Sequence, residues 1–400
     1  MAVGFFPLDE ELGLLPGMLT PRLQESLVRL STHIPSFAKA AVELAFFTQV
    51  EVHRSTATRL TETAGAIAVA LDTADAAHIL HTLPDPPTAS TPVVLSVDGA
   101  MVPLEHGEWA EARTLAVGVP QVIQATDGSR TVHVHQLSYF SRLTDSTTFG
   151  ELATVEIHRR GVSTAPAVGA VVDGAEWCQT FLDLHVPQAV RILDLPHAAD
   201  YVDAIGQTKD AADVPLLDTA TRRQLCHDLK HKGAAAVLPT LQATVTTAGA
   251  PGETATQLAY LDKRQAQMNY PAFQAAGWPI GSGMVESANK LVVEERLKGP
   301  GMHWARAHIN PMLALRNAIC SDRWDVVWAQ IETEQRRMAR AQRTAKQQQR
   351  RQSAPGPTSS SAPPSPAPPP STPPELVPKP PHPWKKPFSI RRQRELAAMA

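Results

Sequence analysis

Cysteine is scarce in this chain: three in 400 residues, Cys178, Cys226 and Cys320, none of them in a Cys-x-x-Cys pair. That argues against a disulfide framework or a zinc module within the chain and for a reducing compartment. Aromatic residues make up only 5%, few for a sugar-binding groove. Charge of one sign is lacking too: 37 Lys and Arg against 39 Asp and Glu leave a net charge of −2. Affinity for a polyanion would have to come from local patches. No apolar run reaches membrane-spanning length and no signal peptide is recognisable, so a cytoplasmic protein with no membrane partner is expected. No internal repeat is visible. Proline, by contrast, is abundant, and fifteen of the 35 lie within residues 353–387.

The most informative stretch is residues 281–304, which reads Gly-Ser-Gly-Met-Val-Glu286-Ser-Ala-Asn-Lys290-Leu-Val-Val-Glu-Glu-Arg296-Leu-Lys298-Gly-Pro-Gly-Met-His-Trp304. Ser282 or Gly283 can cap a helix that starts there. Such a helix presents one early carboxylate, Glu286, followed by Lys290, Arg296 and Lys298. An acid among cations suits a site that holds a divalent metal and grips a phosphate backbone beside it. Taken singly, Glu286 is explained by the helix dipole and the three cations by a solvated face.

Two upstream aspartates extend the pattern. Residues 92–97 and 167–172 are short apolar runs rich in β-branched residues, and read as buried strands. They deliver Asp98-Gly99 and Asp173-Gly174, each of which could also be a plain turn. Between them, residues 113–119 and 132–139 read as strands and 148–160 as a helix. A helix over 175–184 and a strand over 189–193 follow. Strand with Asp, two strands, helix, strand with Asp is the order of an α/β RNase-H-like fold, whose first and fourth strands lie side by side.

The chain also resembles the DDE transposases of bacterial insertion sequences, specifically the ISKra type, with Mutator-like relatives. The resemblance runs from about Gly4 to Trp324. It is carried by Ser96-Val-Asp98-Gly-Ala-Met-Val102, Gly107-Glu-Trp109-Ala-Glu111, Val172-Asp173-Gly-Ala-Glu-Trp177, Leu193-Asp194-Leu-Pro-His197 and the 281–304 block. It implies a transposase that cleaves transposon ends and joins the freed 3′-hydroxyl to target DNA. Its partners would be terminal inverted repeats and target DNA, on which it would act as a homo-oligomer at the nucleoid. Asp98, Asp173 and Glu286 are then the catalytic, metal-binding acids. Asp194 and His197 match the Cys/Asp-x-x-His pair that follows the second acid in Mutator-like relatives, and Asp194 is the alternative second acid. The family block beginning at Gly4 is usually preceded by a cysteine-bearing segment. An N-terminally truncated, inactive DNA-binding relic is therefore the alternative to an active enzyme. A two-carboxylate glycosidase is disfavoured, because three acids with adjacent cations exceed its needs.

The chemistry fits the residue types. Three carboxylates can hold two Mg²⁺ or Mn²⁺ ions, which hard oxygen ligands favour over zinc. Besides Lys290, Arg296 and Lys298, DNA contacts are expected from Arg54 and Arg59. These begin a helix over 54–69 that follows helices at 21–30 and 36–47 and a polar turn at 48–53. That pattern reads equally as a helix-turn-helix or a plain helical hairpin.

The expected organisation has an all-α region at 1–90 and an RNase-H-like catalytic domain at 91–330. Within the latter, a helical insertion over about 199–280 carries a basic cluster at His227, Lys230, His231 and Lys232. A basic helix at 331–352 and a disordered Pro-rich tail at 353–400 complete the chain.

Overall fold

The computed structural model describes residues 19–352 apart from 125, 127–129, 211 and 250–251. The tail at 353–400 and the family block at 4–14 lie outside the described residues. Three helices come first. Helix α1, Pro21–His33, is capped by Thr20, whose hydroxyl accepts the Leu23 N–H, and carries Pro at its first turn, where a missing N–H costs nothing. Helix α2, Phe37–Thr48, is capped by Ser36 and stops where Gln49 turns left-handed at φ 59°. Helix α3 spans Arg54–Thr82, well past the expected end at Val69. Small and apolar residues keep recurring on one face (Ala57, Ala64, Ala68, Ala76), so the buried stripe simply continues.

Gly65 shows how tightly α3 packs. A Cβ there would stand 2.2 Å from the carbonyl oxygen of Pro311, so only glycine admits this approach. The described residues up to Arg343 form one compact unit, so the N-terminal helices belong to the body that holds the sheet.

That sheet has five strands in the order β3-β2-β1-β4-β5. They are β1 Val93–Pro103, β2 Trp109–Gln124, β3 Arg130–Arg142, β4 Val168–Val172 and β5 Val190–Leu193. The first three are antiparallel neighbours, while β1–β4 and β4–β5 run parallel. Helix α4, Ser146–Arg159, precedes β4, and α5, Glu176–His185, links β4 to β5. Each parallel step thus has a helical crossover. The first three strands outrun their expected limits. In particular β1 continues through Asp98 and Gly99, with Asp98 opposite Thr114 of β2, so Asp98 stands within a strand and not at its end.

Alternation along the strands builds two cores. Leu95, Val97, Leu115, Phe140, Ala170 and Val172 pack on Phe149 and Ile157 of α4 and Phe181 of α5. Val94, Ala116, Val171 and Ile192 face the other way. That second face is covered by the expected insertion: α6 Leu195–Gln207, α7 Thr219–Lys232, α8 Leu238–Ala248, α9 Gly252–Lys263 and α10 Tyr270–Ala275. It is also covered by α11, Gly283–Ala288, which runs through a π-helical turn, Asn289–Glu294, into Glu295–Leu297. Helix α12, Arg306–Cys320, and α13, Trp324–Gln352, follow.

The basic stretch expected from 331 is the continuation of α13, with Arg336 and Arg337 paired to Glu332 and Glu334. A second unit, Thr344–Ala400, begins inside that helix and is described only as far as Gln352. Among the described residues no helix is long and apolar enough to cross a membrane.

Candidate functional site

Strand register brings the two aspartates together. In the parallel β1–β4 ladder Val93, Val94 and Leu95 are level with Val168, Gly169 and Ala170. The Ser96 hydroxyl carries the same register forward by donating to the Val171 carbonyl. Carried two residues on, past the end of β4 at Val172, the same offset matches Asp98 with Asp173, whose charge reaches Asp98. Alternation then fixes the face. Val94 and Ala100 belong to the core beneath α11, so Asp98 projects to that side, while Asp173 lies just past β4 and bonds to α5 through Cys178.

Each carboxylate is held by its own partners. Asp98 Oδ2 accepts from Asn289 Nδ2 at 2.9 Å. Asp173 Oδ1 accepts the Ala175 N–H at 2.9 Å and the Cys178 thiol at 3.4 Å. Glu286, exposed in the first turn of α11, takes a 2.9 Å bond from the Ser282 hydroxyl. That hydroxyl makes no cap bond to the helix backbone. The expected caps are corrected in this detail: Ser282 occupies the N-cap position but spends its side chain on Glu286.

The acids sense one another. Burial is the main cause that raises the Asp98 pKa, and the charges of Asp173, Glu286 and Glu111 raise it further, against a lowering by the Gly99 N–H. Burial likewise drives the Cys178 thiol far up, with Asp173, Asp98 and Glu111 adding to it, so Cys178 stays a protonated donor under the site. Among the described residues no three His, Cys, Asp or Glu side chains form a ready metal-binding group. The acids are therefore within electrostatic reach but not turned to a common point.

The insertion buttresses this corner. The Tyr260 hydroxyl donates to the Asp173 carbonyl and Arg264 to the Gly174 carbonyl, the latter at 2.6 Å. Arg264 is 4% exposed and also pairs with Glu176. Gly174, at φ 83°, makes the turn that Asp173-Gly174 was expected to supply.

Asp194 behaves differently. It is 4% exposed and caps α6, its Oδ2 accepting the His197 N–H at 2.9 Å and its Oδ1 the Ser282 N–H at 2.6 Å. It ends β5, a strand separated from β1 by β4. His197 packs edge-on to Tyr201, 5.2 Å between ring centres. Both oxygens of Asp194 are committed to backbone, which leaves Asp173 the better placed of the two.

The expected cations divide. Lys290, Arg54 and Arg59 are exposed, and Lys298 is tied to Glu294 at 2.7 Å. Arg296 is corrected: it is 1% exposed, donates to the Ser31 carbonyl at 3.0 Å, and lies between the rings of Phe37 and Trp304. It joins α11 to the N-terminal helices and cannot meet a DNA phosphate.

Two site residues escaped the sequence reading. Asn289 lies one turn after Glu286, in a block where nothing separates it from its neighbours. Glu111 is bound to Arg113 at 2.6 Å, and Arg113 in turn lies over the Trp177 ring. A Cβ on Gly99 would meet Glu111 Oε1 at 2.2 Å; Glu111 pairs with Met101 and so lies on the sheet face opposite Asp98, acting on it through charge. The Gly107–Glu111 motif was its only signal. No protein-family model matches the chain, and none of the curated proteins compared with it matches either.

Proposed function

We propose that the chain is a DDE-type DNA transposase resembling the ISKra insertion-sequence enzymes, with an RNase-H-like core. Asp98 on β1 and Asp173 just past the neighbouring parallel strand β4, with Asp173 and Glu286 both close enough to perturb Asp98, carry this reading. Strand order β3-β2-β1-β4-β5, with the first three strands antiparallel, supports the core assignment.

The donor set fits Mg²⁺ or Mn²⁺: hard carboxylate oxygens, a raised Asp98 pKa that a cation would relieve, and one buried amide oxygen without a partner at Asn289. Two such ions, when bound, activate the attacking oxygen and stabilise the leaving one. The chain's own residues do the rest. Asp98 stands within β1 and Asp173 directly after β4, Tyr260 and Arg264 fix the Asp173 turn, and Ser282 bonds the Glu286 carboxylate. Lys290 on the same helix and Arg54 and Arg59 at the start of α3 supply exposed cations for DNA, on which the protein would assemble as a homo-oligomer.

The test is incubation of the full chain with duplexes taken from the DNA flanking its own reading frame. Mg²⁺-dependent strand cleavage that leaves 3′-hydroxyl ends, lost in Asp98→Asn, supports the reading. Binding without cleavage under all metal conditions points to the DNA-binding relic. Neither binding nor cleavage overturns both.

A further inference from the structure

Asn289 is 5% exposed and opens the π-helical turn that follows α11. Its Nδ2 donates to Asp98 Oδ2 at 2.9 Å, while its Oδ1 has no hydrogen-bond partner. A buried oxygen left unsatisfied costs roughly 1–3 kcal/mol, and here the unpaired acceptor stands beside the Asp98 carboxylate, open to an ion or a water. π-helical turns are rare and cluster at functional sites. Glu286 and Asn289 are three residues apart on one continuous helix, and hence on one face. From it Asn289 touches Asp98, and the Glu286 charge also reaches Asp98.

We propose that Asn289 is a fourth oxygen donor of the divalent-cation site. Its amide nitrogen fixes Asp98 and its amide oxygen ligates the cation. This rests on the reading that Asp98, Asp173 and Glu286 hold such an ion. A neutral amide adds a hard ligand without a further negative charge, which matters where Asp98 already lies among three other acids.

The test is Mn²⁺ titration of the full chain without DNA, followed by electron paramagnetic resonance of the free ion. Asn289→Leu keeps the volume and removes both polar atoms, and should weaken binding about tenfold or more. Asn289→Asp keeps an oxygen and should bind at least as tightly as wild type. Where the leucine variant fails to fold, Asn289→Ala takes its place. Wild-type affinity in Asn289→Leu would overturn the proposal. Equal weakness of Asn289→Asp and Asn289→Leu would overturn the ligand role by showing that only the amide N–H matters. Asp98→Asn separates the two levels. If it loses Mn²⁺ while Asn289→Leu does not, only the Asn289 proposal falls; if it binds Mn²⁺ as wild type does, the site reading falls with it.

Discussion

Asp194 and Ser282, 88 positions apart, are joined by a 2.6 Å hydrogen bond from the Ser282 N–H to Asp194 Oδ1. The bond ties the end of β5 to the corner from which α11 departs, and Ser282 passes the constraint to Glu286 through its hydroxyl. Asp194 thus acts on the acidic site through another residue.

Replacing Asp194 follows from this. Asp194→Ala removes the α6 cap and strands the buried Ser282 N–H, together worth about 2–4 kcal/mol by denaturant unfolding. Asp194→Asn keeps one of the two acceptor oxygens and should recover only part of that loss while leaving Mn²⁺ affinity near wild type. Loss of Mn²⁺ binding in a well-folded Asp194→Asn would make Asp194 a ligand after all.

Asp98 should trade stability for function. Its folded pKa is raised, so the folded state favours the protonated acid. The stabilising contribution is complete below the unfolded value near 3.8 and disappears as pH rises through the higher folded value. At neutral pH without metal, Asp98→Asn should therefore melt above wild type, with the gap closing towards pH 4. Mg²⁺ should raise the wild-type melting temperature and leave the variant unchanged. Calorimetry in EDTA and in Mg²⁺ reads both effects.

Glu156 gives the opposite sign. It is fully buried, which raises its pKa, but Arg323 and Arg159 outweigh burial and the net shift is downward. Its stability contribution is present above the unfolded value of 4.5 and lost as pH falls through the folded one. Glu156→Gln should cost about 3–5 kcal/mol at pH 7, because two guanidinium groups lose their counter-ion. The difference from wild type should shrink in acid, as urea unfolding at several pH values will show.

The two cations of the Glu286 block should separate cleanly. Lys290→Ala should reduce the slope of log affinity against log salt by about 0.9 and leave stability unchanged. Arg296→Ala should leave the slope alone and destabilise by about 2–3 kcal/mol, since it deletes two cation–π contacts in a desolvated slot. Burial pushes Arg296 down to about 10, still charged at neutral pH.

These contrasts show what a sequence can carry. The runs ending at Val97 and Val172 announce strands because buried parallel strands need continuous β-branched residues, and their Asp-Gly pairs lie close by. The fate of Arg296 was not legible. Its neighbours Ser31 and Phe37 lie more than 250 positions away, and a cation in a helical block looks solvated until those residues cover it. The reach of α3 beyond Val69 was hidden in a similar way, since small residues signal packing only once Pro311 lies against Gly65. Asn289 needed the π-helical turn, which no periodicity in the sequence reveals.

The most direct test is anomalous scattering from crystals of the full chain soaked in Mn²⁺. Two peaks about 3.5–4 Å apart, bounded by Asp98, Asp173 and an inward-turned Glu286, are expected. Mn²⁺ bound only elsewhere, or at Asp194 in place of Asp173, would contradict the proposed site.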